Sequence, residues 1–72
     1  MRTYTLVITD ADGQQYTSLS EFNDDVDAIK SSRSVVSERH RSIGIARGSG
    51  DEVEWLGVWD WTPGEPRWTP DE

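Results

Sequence analysis

Among the residues that could carry out chemistry, His40 comes first, because it is the only histidine of the chain. Nucleophilic catalysis of the serine or cysteine type needs a nucleophile beside a base, and histidine is the usual base. The chain contains no cysteine, and His40 lies between Arg39 and Arg41. We therefore interpret His40 as a residue of a basic helix end. We expect no catalytic residues and no enzymatic activity.

Carboxylates are plentiful, since the 72 residues include 14 Asp and Glu. Adjacent acids are then expected by chance, and a catalytic pair would need a pocket that raises one pKa and leaves the other low. Asp10, Asp12 and Glu21 have part of the spacing of a calcium-binding loop, but Gln15 occupies the position that requires glycine. The flanking segments also have strand patterns where helices are needed. The sequence therefore predicts neither a metal site nor a bound cofactor.

Three closely spaced glycines, Gly44, Gly48 and Gly50, raise the question of a phosphate-binding loop. Such a loop continues into a Lys-Ser or Lys-Thr pair and opens a helix. Neither feature follows Gly50 in this chain. We interpret these residues as hairpin glycines.

The formal net charge of −7 is spread unevenly along the chain. Residues 1–29 carry six acids and one base, residues 30–47 carry five bases and one acid, and residues 48–72 carry seven acids and one base. Each contact with a phosphate needs a cation, so most of such a surface repels nucleic acid. We therefore expect a protein partner with a basic surface, and no direct binding of nucleic acid or membrane.

Two acidic clusters are the main candidates for contact with that partner. If the fold brings the clusters together, they would present carboxylates to a site that normally holds a nucleic-acid backbone, as a DNA mimic does, and long-range attraction would speed association. The alternative is that they only keep the chain in solution. The candidates are Asp24, Asp25, Asp27, Asp51, Glu52 and Glu54.

The four tryptophans, Trp55, Trp59, Trp61 and Trp68, lie close together in the sequence. A chain of this length buries only about 60% of its unfolded surface, so large aromatic side chains must contribute to the core. Alternation along a strand places Trp55, Trp59 and Trp61 on one face. That face is core if it meets the helix, and otherwise it is an exposed patch for a partner or a dimer. Any exposed indole among Trp59, Trp61 and Trp68 is a further partner-binding candidate.

The elements that must position these residues follow from hydrophobic periodicity. Glycine-containing turns are predicted after Asp12 and around residues 48–51. Strands are predicted over residues 2–9, 14–19, 42–47 and 52–61, with a brief fifth strand over 67–69.

A helix is predicted to begin at the N-cap Asn23 and to end near Arg41. Its inner face would be Ala28, Ile29, Ser32, Val35, Val36 and Arg39. A cationic stripe of Lys30, Arg33 and Arg41 would lie on the outer face, either as a solvated surface or as a site for acidic partners.

The predicted order is β-β-α-β-β with an optional final strand, which indicates one α+β domain over residues 1–72. We expect a two-layer sandwich in which one helix packs on a four- or five-stranded antiparallel sheet, with residues 69–72 as a frayed tail. No leader peptide or apolar run of about 20 residues is recognisable, so we expect the chain in the cytoplasm, that of the host cell if a phage encodes it.

This plan, with the Trp-rich run over residues 55–60 and the closing Arg67-Trp68, resembles small phage-encoded inhibitors, including some type I anti-CRISPR proteins. The resemblance implies a protein that binds a CRISPR RNA-guided complex and blocks its engagement of target DNA. The opening strand, the Asp-Gly turn and the acidic helix start are also similar to acidic antitoxins that pair with basic toxins. A third hypothesis is a structural module of a virion or cellular complex, which forms a homodimer through a strand edge and an aromatic patch.

Overall fold

The structure is a computed structural model that describes residues 1–71. One helix packs against a five-stranded antiparallel sheet with the spatial order β2-β1-β3-β4-β5. The predicted α+β class and the single helix on an antiparallel sheet are confirmed, and the optional fifth strand is present. The elements are β1 (Arg2–Asp10), β2 (Gln15–Phe22), α1 (Asp25–Arg33), β3 (His40–Arg47), β4 (Glu54–Thr62) and β5 (Glu65–Pro70).

The path of the chain places β1 inside the sheet, between β2 and β3. The connection from β2 through α1 therefore crosses over β1 before it reaches β3. As a result, α1 covers one face of the sheet and contacts β2, β3 and β4. The opposite face of the sheet has no helix over it in residues 1–71, and we call it the open face.

The core lies between α1 and the covered face of the sheet. Tyr4, Leu6 and Ile8 alternate along β1 towards this face, as the period-two pattern predicts. The indole Nε1 of Trp59 donates a hydrogen bond of 2.8 Å to the carbonyl of Ile29, which ties the helix to β4. The other buried members of the core are Ala28, Val36, Ile43 and Ile45.

The helix is shorter than predicted, because it begins after the N-cap Asp24 and ends at Arg33. Serine side chains compete with helical hydrogen bonds, and Ser34 Oγ donates to the carbonyl of Ser31 at 3.0 Å. The β-branched pair Val35-Val36 also has low helix propensity. The predicted N-cap at Asn23 and the predicted helical region after Arg33 were therefore wrong.

His40 and Arg41 belong to β3, so the interpretation of His40 as a helix-end residue was wrong. His40 pairs with Asp10 beyond a β-bulge at Arg41 of β3, and the carbonyl of Arg39 accepts a hydrogen bond of 3.0 Å from the N–H of Ala11. At this point the chain pairs with β1 as a strand, although its hydrophobic pattern predicts a helix. Since Arg41 lies on a strand, the predicted cationic stripe with Lys30 on one helix face does not form.

A β-bulge in β4 divides the tryptophans between the two faces of the sheet. Ile45 pairs with Gly57, whereas Ala46 pairs with Trp55, so Leu56 is the extra residue. One extra residue reverses the alternation for everything before it. The shared face was therefore predicted correctly for Trp59 and Trp61 but wrongly for Trp55, which lies on the open face.

The last strand is longer than predicted. Thr69 and Pro70 belong to β5, and the backbone N–H of Asp71 donates to the carbonyl of Leu56 at 3.1 Å. These residues of the expected frayed tail are thus paired with β4, while Glu72 lies outside the described residues. Across residues 1–71, the structure has no helix that is long and apolar enough to span a membrane.

Candidate functional site

Both acidic clusters lie at one end of the sheet, which we call the acidic end. β1 begins and β2 ends there, since Arg2 pairs with Phe22, and β3 turns into β4 there, since Arg47 pairs with Glu54. The first turn of α1 follows directly after β2 at the same edge. Two arginines, Arg2 and Arg47, accompany the acids of this end. Those acids are Glu21, Asp24, Asp25, Asp27, Asp51, Glu52, Glu54 and Asp71.

Arg47 is the residue that joins the two clusters. Its Nε donates to Asp25 Oδ1 at 3.2 Å, and its Nη2 forms an ion pair with Asp25 Oδ2. On the other side, Nη1 donates to Glu54 Oε2 at 2.8 Å. Sequence reasoning did not identify Arg47, because nothing local shows that an arginine at the end of β3 reaches the start of α1.

Asp25 is also held by Tyr4, whose hydroxyl donates to Asp25 Oδ1 at 2.7 Å. The hydrogen bonds from Arg47 and then from Tyr4 hold the pKa of Asp25 below its ordinary value. Burial raises the pKa of the Tyr4 phenol, and its hydrogen bond to Asp25 adds to that shift. Asp25 is therefore an ionised carboxylate whose charge is already matched within the chain.

Asp24 and Asp27 form a reciprocal cap at the start of α1. Asp24 Oδ1 accepts a hydrogen bond of 2.8 Å from the N–H of Asp27, and Asp27 Oδ2 accepts one of 2.9 Å from the N–H of Asn23. These bonds satisfy donors that have no partner within the helix. Both side chains therefore shape the start of the helix, and the second carboxylate oxygen of Asp27 accepts a further hydrogen bond of 3.3 Å from Ser31 Oγ.

Asp51 and Glu52 are the partner-binding candidates whose carboxylates have no partner among residues 1–71. Both are exposed in the turn between β3 and β4. Neither carboxylate forms a hydrogen bond or an ion pair with another of residues 1–71. Their charge is therefore fully available to a partner.

The charge outside the acidic end is balanced within residues 1–71. Five bases there match five acids, so nearly all of the net charge of −7 comes from the acidic end. The bases are Lys30, Arg33, Arg39, Arg41 and Arg67, and the acids are Asp10, Asp12, Glu38, Asp60 and Glu65.

The indole candidates are placed differently from one another. Trp59 is in the core and has only 8% of its surface exposed, so it has almost no surface to offer a partner. Trp61 and Trp68 are partly buried against the core, and the rings of Trp59 and Trp68 are 5.3 Å apart between centroids. The exposed indole is Trp55, at 48%, which the sequence interpretation did not select.

Trp55 rests on the open face against Gly44 of β3. A Cβ atom at Gly44 would stand 3.3 Å from Trp55 Cζ3, so the missing side chain leaves room for the ring. Beside them is a shallow groove of about 380 Å³ with both apolar and hydroxyl side chains in its lining, including Val58, Thr9 and Thr69. Trp55 pairs with Ala46, so Gly44 is its diagonal neighbour on β3, and the local sequence alone does not indicate this contact.

No metal-binding site is apparent in the part of the chain that is described. Residues 1–71 contain no cluster of three or more His, Asp or Glu side chains arranged to hold an ion. His40 packs its ring against Tyr16, with 6.4 Å between the ring centroids.

The chain matches no protein-family model, no curated protein and no solved structure.

Proposed function

We propose that this chain is a non-enzymatic, protein-binding inhibitor that acts in the cytoplasm through its acidic end. The observation that supports this proposal is the convergence of two distant acidic clusters at one end, linked through Arg47 between Asp25 and Glu54. The remaining described surface is balanced in charge. A field concentrated at one end favours a partner of opposite sign and orients the encounter.

The partner that fits this end is a protein surface that normally binds nucleic acid. Such surfaces hold phosphates with lysine and arginine side chains, and carboxylates at the acidic end can occupy the same cations. The resemblance to small phage inhibitors supports a CRISPR RNA-guided complex as the target, with loss of target-DNA engagement as the result. Occupation of the cations would exclude DNA by direct competition.

Within the acidic end, the structure supports different roles for different acids. Asp51 and Glu52 are free to pair with the partner, whereas Asp25 and Glu54 are already paired with Arg47. Trp55 follows Glu54 directly and is half exposed, so it supplies an apolar anchor beside the charges. Aromatic anchors next to charged residues are typical of the energetic centre of protein interfaces.

The test is competition with target DNA on purified type I CRISPR RNA-guided complexes. A fluorescent target duplex reports binding by anisotropy, at about 50 mM and at about 500 mM salt. We expect the chain to displace the duplex at low salt and to lose this effect at high salt. The double variant Asp51→Lys, Glu52→Lys should inhibit at least about tenfold more weakly.

The matched control reverses two exposed acids outside the acidic end, Asp12→Lys with Glu65→Lys. Both double variants change the net charge by the same amount, so a difference between them reports position and not total charge. The control should inhibit like the unaltered chain. If both double variants inhibit equally, or if inhibition is the same at both salt concentrations, the electrostatic mechanism is wrong. Failure to displace DNA from any type I complex would remove these complexes as partners.

A further inference from the structure

β2 is an edge strand, so one of its two sides has no neighbour within residues 1–71. The turn that precedes it shows which side each backbone group faces. The N–H of Asp10 donates to the carbonyl of Gln14, which makes these two residues a hydrogen-bonded pair. Since such pairs alternate along an antiparallel ladder, Tyr16, Ser18 and Ser20 bond to β1. The backbone groups of the residues between them face outwards: Gln15, Thr17, Leu19 and Glu21.

This edge lacks the features that usually prevent strand pairing between molecules. Proline, charge and bulges protect most natural edges. The other edge strand, β5, contains Pro66, Pro70 and two charged residues in six positions. β2 has eight residues, no proline, an unbroken register with β1 and a single charge at Glu21. It also carries two exposed apolar side chains, with Leu19 at 61% and Tyr16 at 45%.

We propose that β2 pairs antiparallel with β2 of a second copy of this chain, about a two-fold axis at Leu19. The five-stranded sheets of the two copies then join edge to edge into one continuous sheet. This inference goes beyond the proposed function and does not depend on it.

The register at Leu19 matches side chains of the same kind. Leu19 faces the second copy's Leu19 on the open face, and Tyr16 faces the second copy's Phe22 on the helix side. Aromatic pairs and aliphatic pairs across strands are stabilising, and opposed like charges are destabilising. Glu21 faces Thr17, so no two charges of equal sign are opposed. The outward groups of Thr17, Leu19 and Glu21 are the ones that this register joins.

The charge distribution favours antiparallel over parallel pairing of the two β2 strands. Parallel pairing would set the two acidic ends side by side, and their repulsion would be strong at moderate salt. Antiparallel pairing places the acidic end of each copy beside the charge-balanced end of the other. Asp51 and Glu52 then remain free at the two far ends of the dimer.

The test is the molar mass of the purified chain alone, measured by sedimentation equilibrium over a range of concentrations. We expect twice the 8.2 kDa of the monomer. Leu19→Lys sets two ammonium groups at the axis, and Thr17→Pro removes an outward N–H without breaking a bond to β1. Each should raise the dissociation constant of the dimer at least about tenfold. Thr69→Lys, an exposed threonine of the open face on the opposite edge, is the matched control and should stay dimeric.

Amide exchange of the unaltered chain tests the same interface without a substitution. The N–H groups of Thr17, Leu19 and Glu21 should become protected as the concentration rises, while exposed amides of the β3–β4 turn should not change. A mass of one chain at about 1 mM would overturn the proposal. So would a dimer that Thr69→Lys disrupts and Leu19→Lys does not, or a dimer without concentration-dependent protection at these three amides.

Discussion

Arg47, at the end of β3, is paired with Asp25, the first residue of α1, across 22 positions of sequence. The pair fastens the helix start to the β3–β4 hairpin and reduces the repulsion between Asp25 and Glu54. The acidic end therefore depends on one arginine within it.

The first prediction concerns acid stability. The pKa of Asp25 is lower in the folded chain than in the unfolded chain, because Arg47 and Tyr4 donate to the carboxylate. Such a group stabilises the fold above its unfolded pKa of about 4, and this contribution is lost as pH falls through the lower folded pKa. We expect Asp25→Asn to lower the free energy of unfolding at pH 7 by about 1 kcal/mol, since Asn keeps an acceptor for Tyr4 but loses the charge.

Urea unfolding, followed by tryptophan fluorescence between about pH 7 and pH 2, checks this prediction. The difference between the unaltered chain and Asp25→Asn should shrink as the pH falls below about 4. Asp51→Asn is the control, because it removes the same charge from an unpaired site. A constant difference at every pH would show that the ionised pair does not stabilise the fold.

A second prediction concerns Gly57, over which the indole of Trp68 lies. A Cβ at Gly57 would stand 2.5 Å from the carbonyl oxygen of Thr69 and 2.7 Å from Trp68 Cζ2, at a φ of +152°. We expect Gly57→Ala to destabilise the fold by about 3 kcal/mol, from overpacking and backbone strain together. Gly64 has a φ of +96° and open space around it, so Gly64→Ala should cost only about 1 kcal/mol. Thermal unfolding compares the two, and equal costs would contradict the packing of Trp68 on Gly57.

The third prediction is a gain of stability at Ser32. This side chain has 1% of its surface exposed, and its Oγ has no hydrogen-bond partner among residues 1–71. Ser32→Ala removes a buried polar group and improves helix propensity, so it should stabilise by about 1 kcal/mol. Ser31→Ala is the matched control: it also gains propensity but loses the 3.3 Å bond from its Oγ to Asp27. A melting temperature that falls in Ser32→Ala would indicate that the hydroxyl is satisfied.

The fourth prediction compares the buried Trp59 with the half-exposed Trp55. Trp59→Phe loses buried surface and the bond from Nε1 to Ile29, so we expect a loss of about 2 to 3 kcal/mol. Trp55→Phe changes a half-exposed ring on the open face and should cost less than about 1 kcal/mol. Chemical denaturation measures both. The reverse order of costs would mean that the bulge in β4 does not direct Trp55 away from the core.

Several features of the fold could be predicted from local sequence. The alternation of Tyr4, Leu6 and Ile8 predicts β1 and its buried face, and the Gly13 turn predicts the first hairpin, because both depend on steric preferences of adjacent residues. The acidic start of the helix was also recognisable within one residue, since capping groups act over a single turn. The α+β class follows from the order of these elements.

Other features were decided by tertiary structure. The bulge at Leu56 that exposes Trp55 and the early end of α1 at Arg33 depend on which strands pair and on what the core can accept. The crossing of α1 over β1, which joins Asp25 to Arg47 and leaves β2 as an open edge, connects residues far apart in the chain. Local periodicity reports the face of a residue within its own element, whereas neighbours across the sheet are set by long-range pairing. Composition and local patterns therefore specify the class of fold and the acidic character, whereas long-range strand pairing specifies where that charge and the unpaired edge of β2 lie.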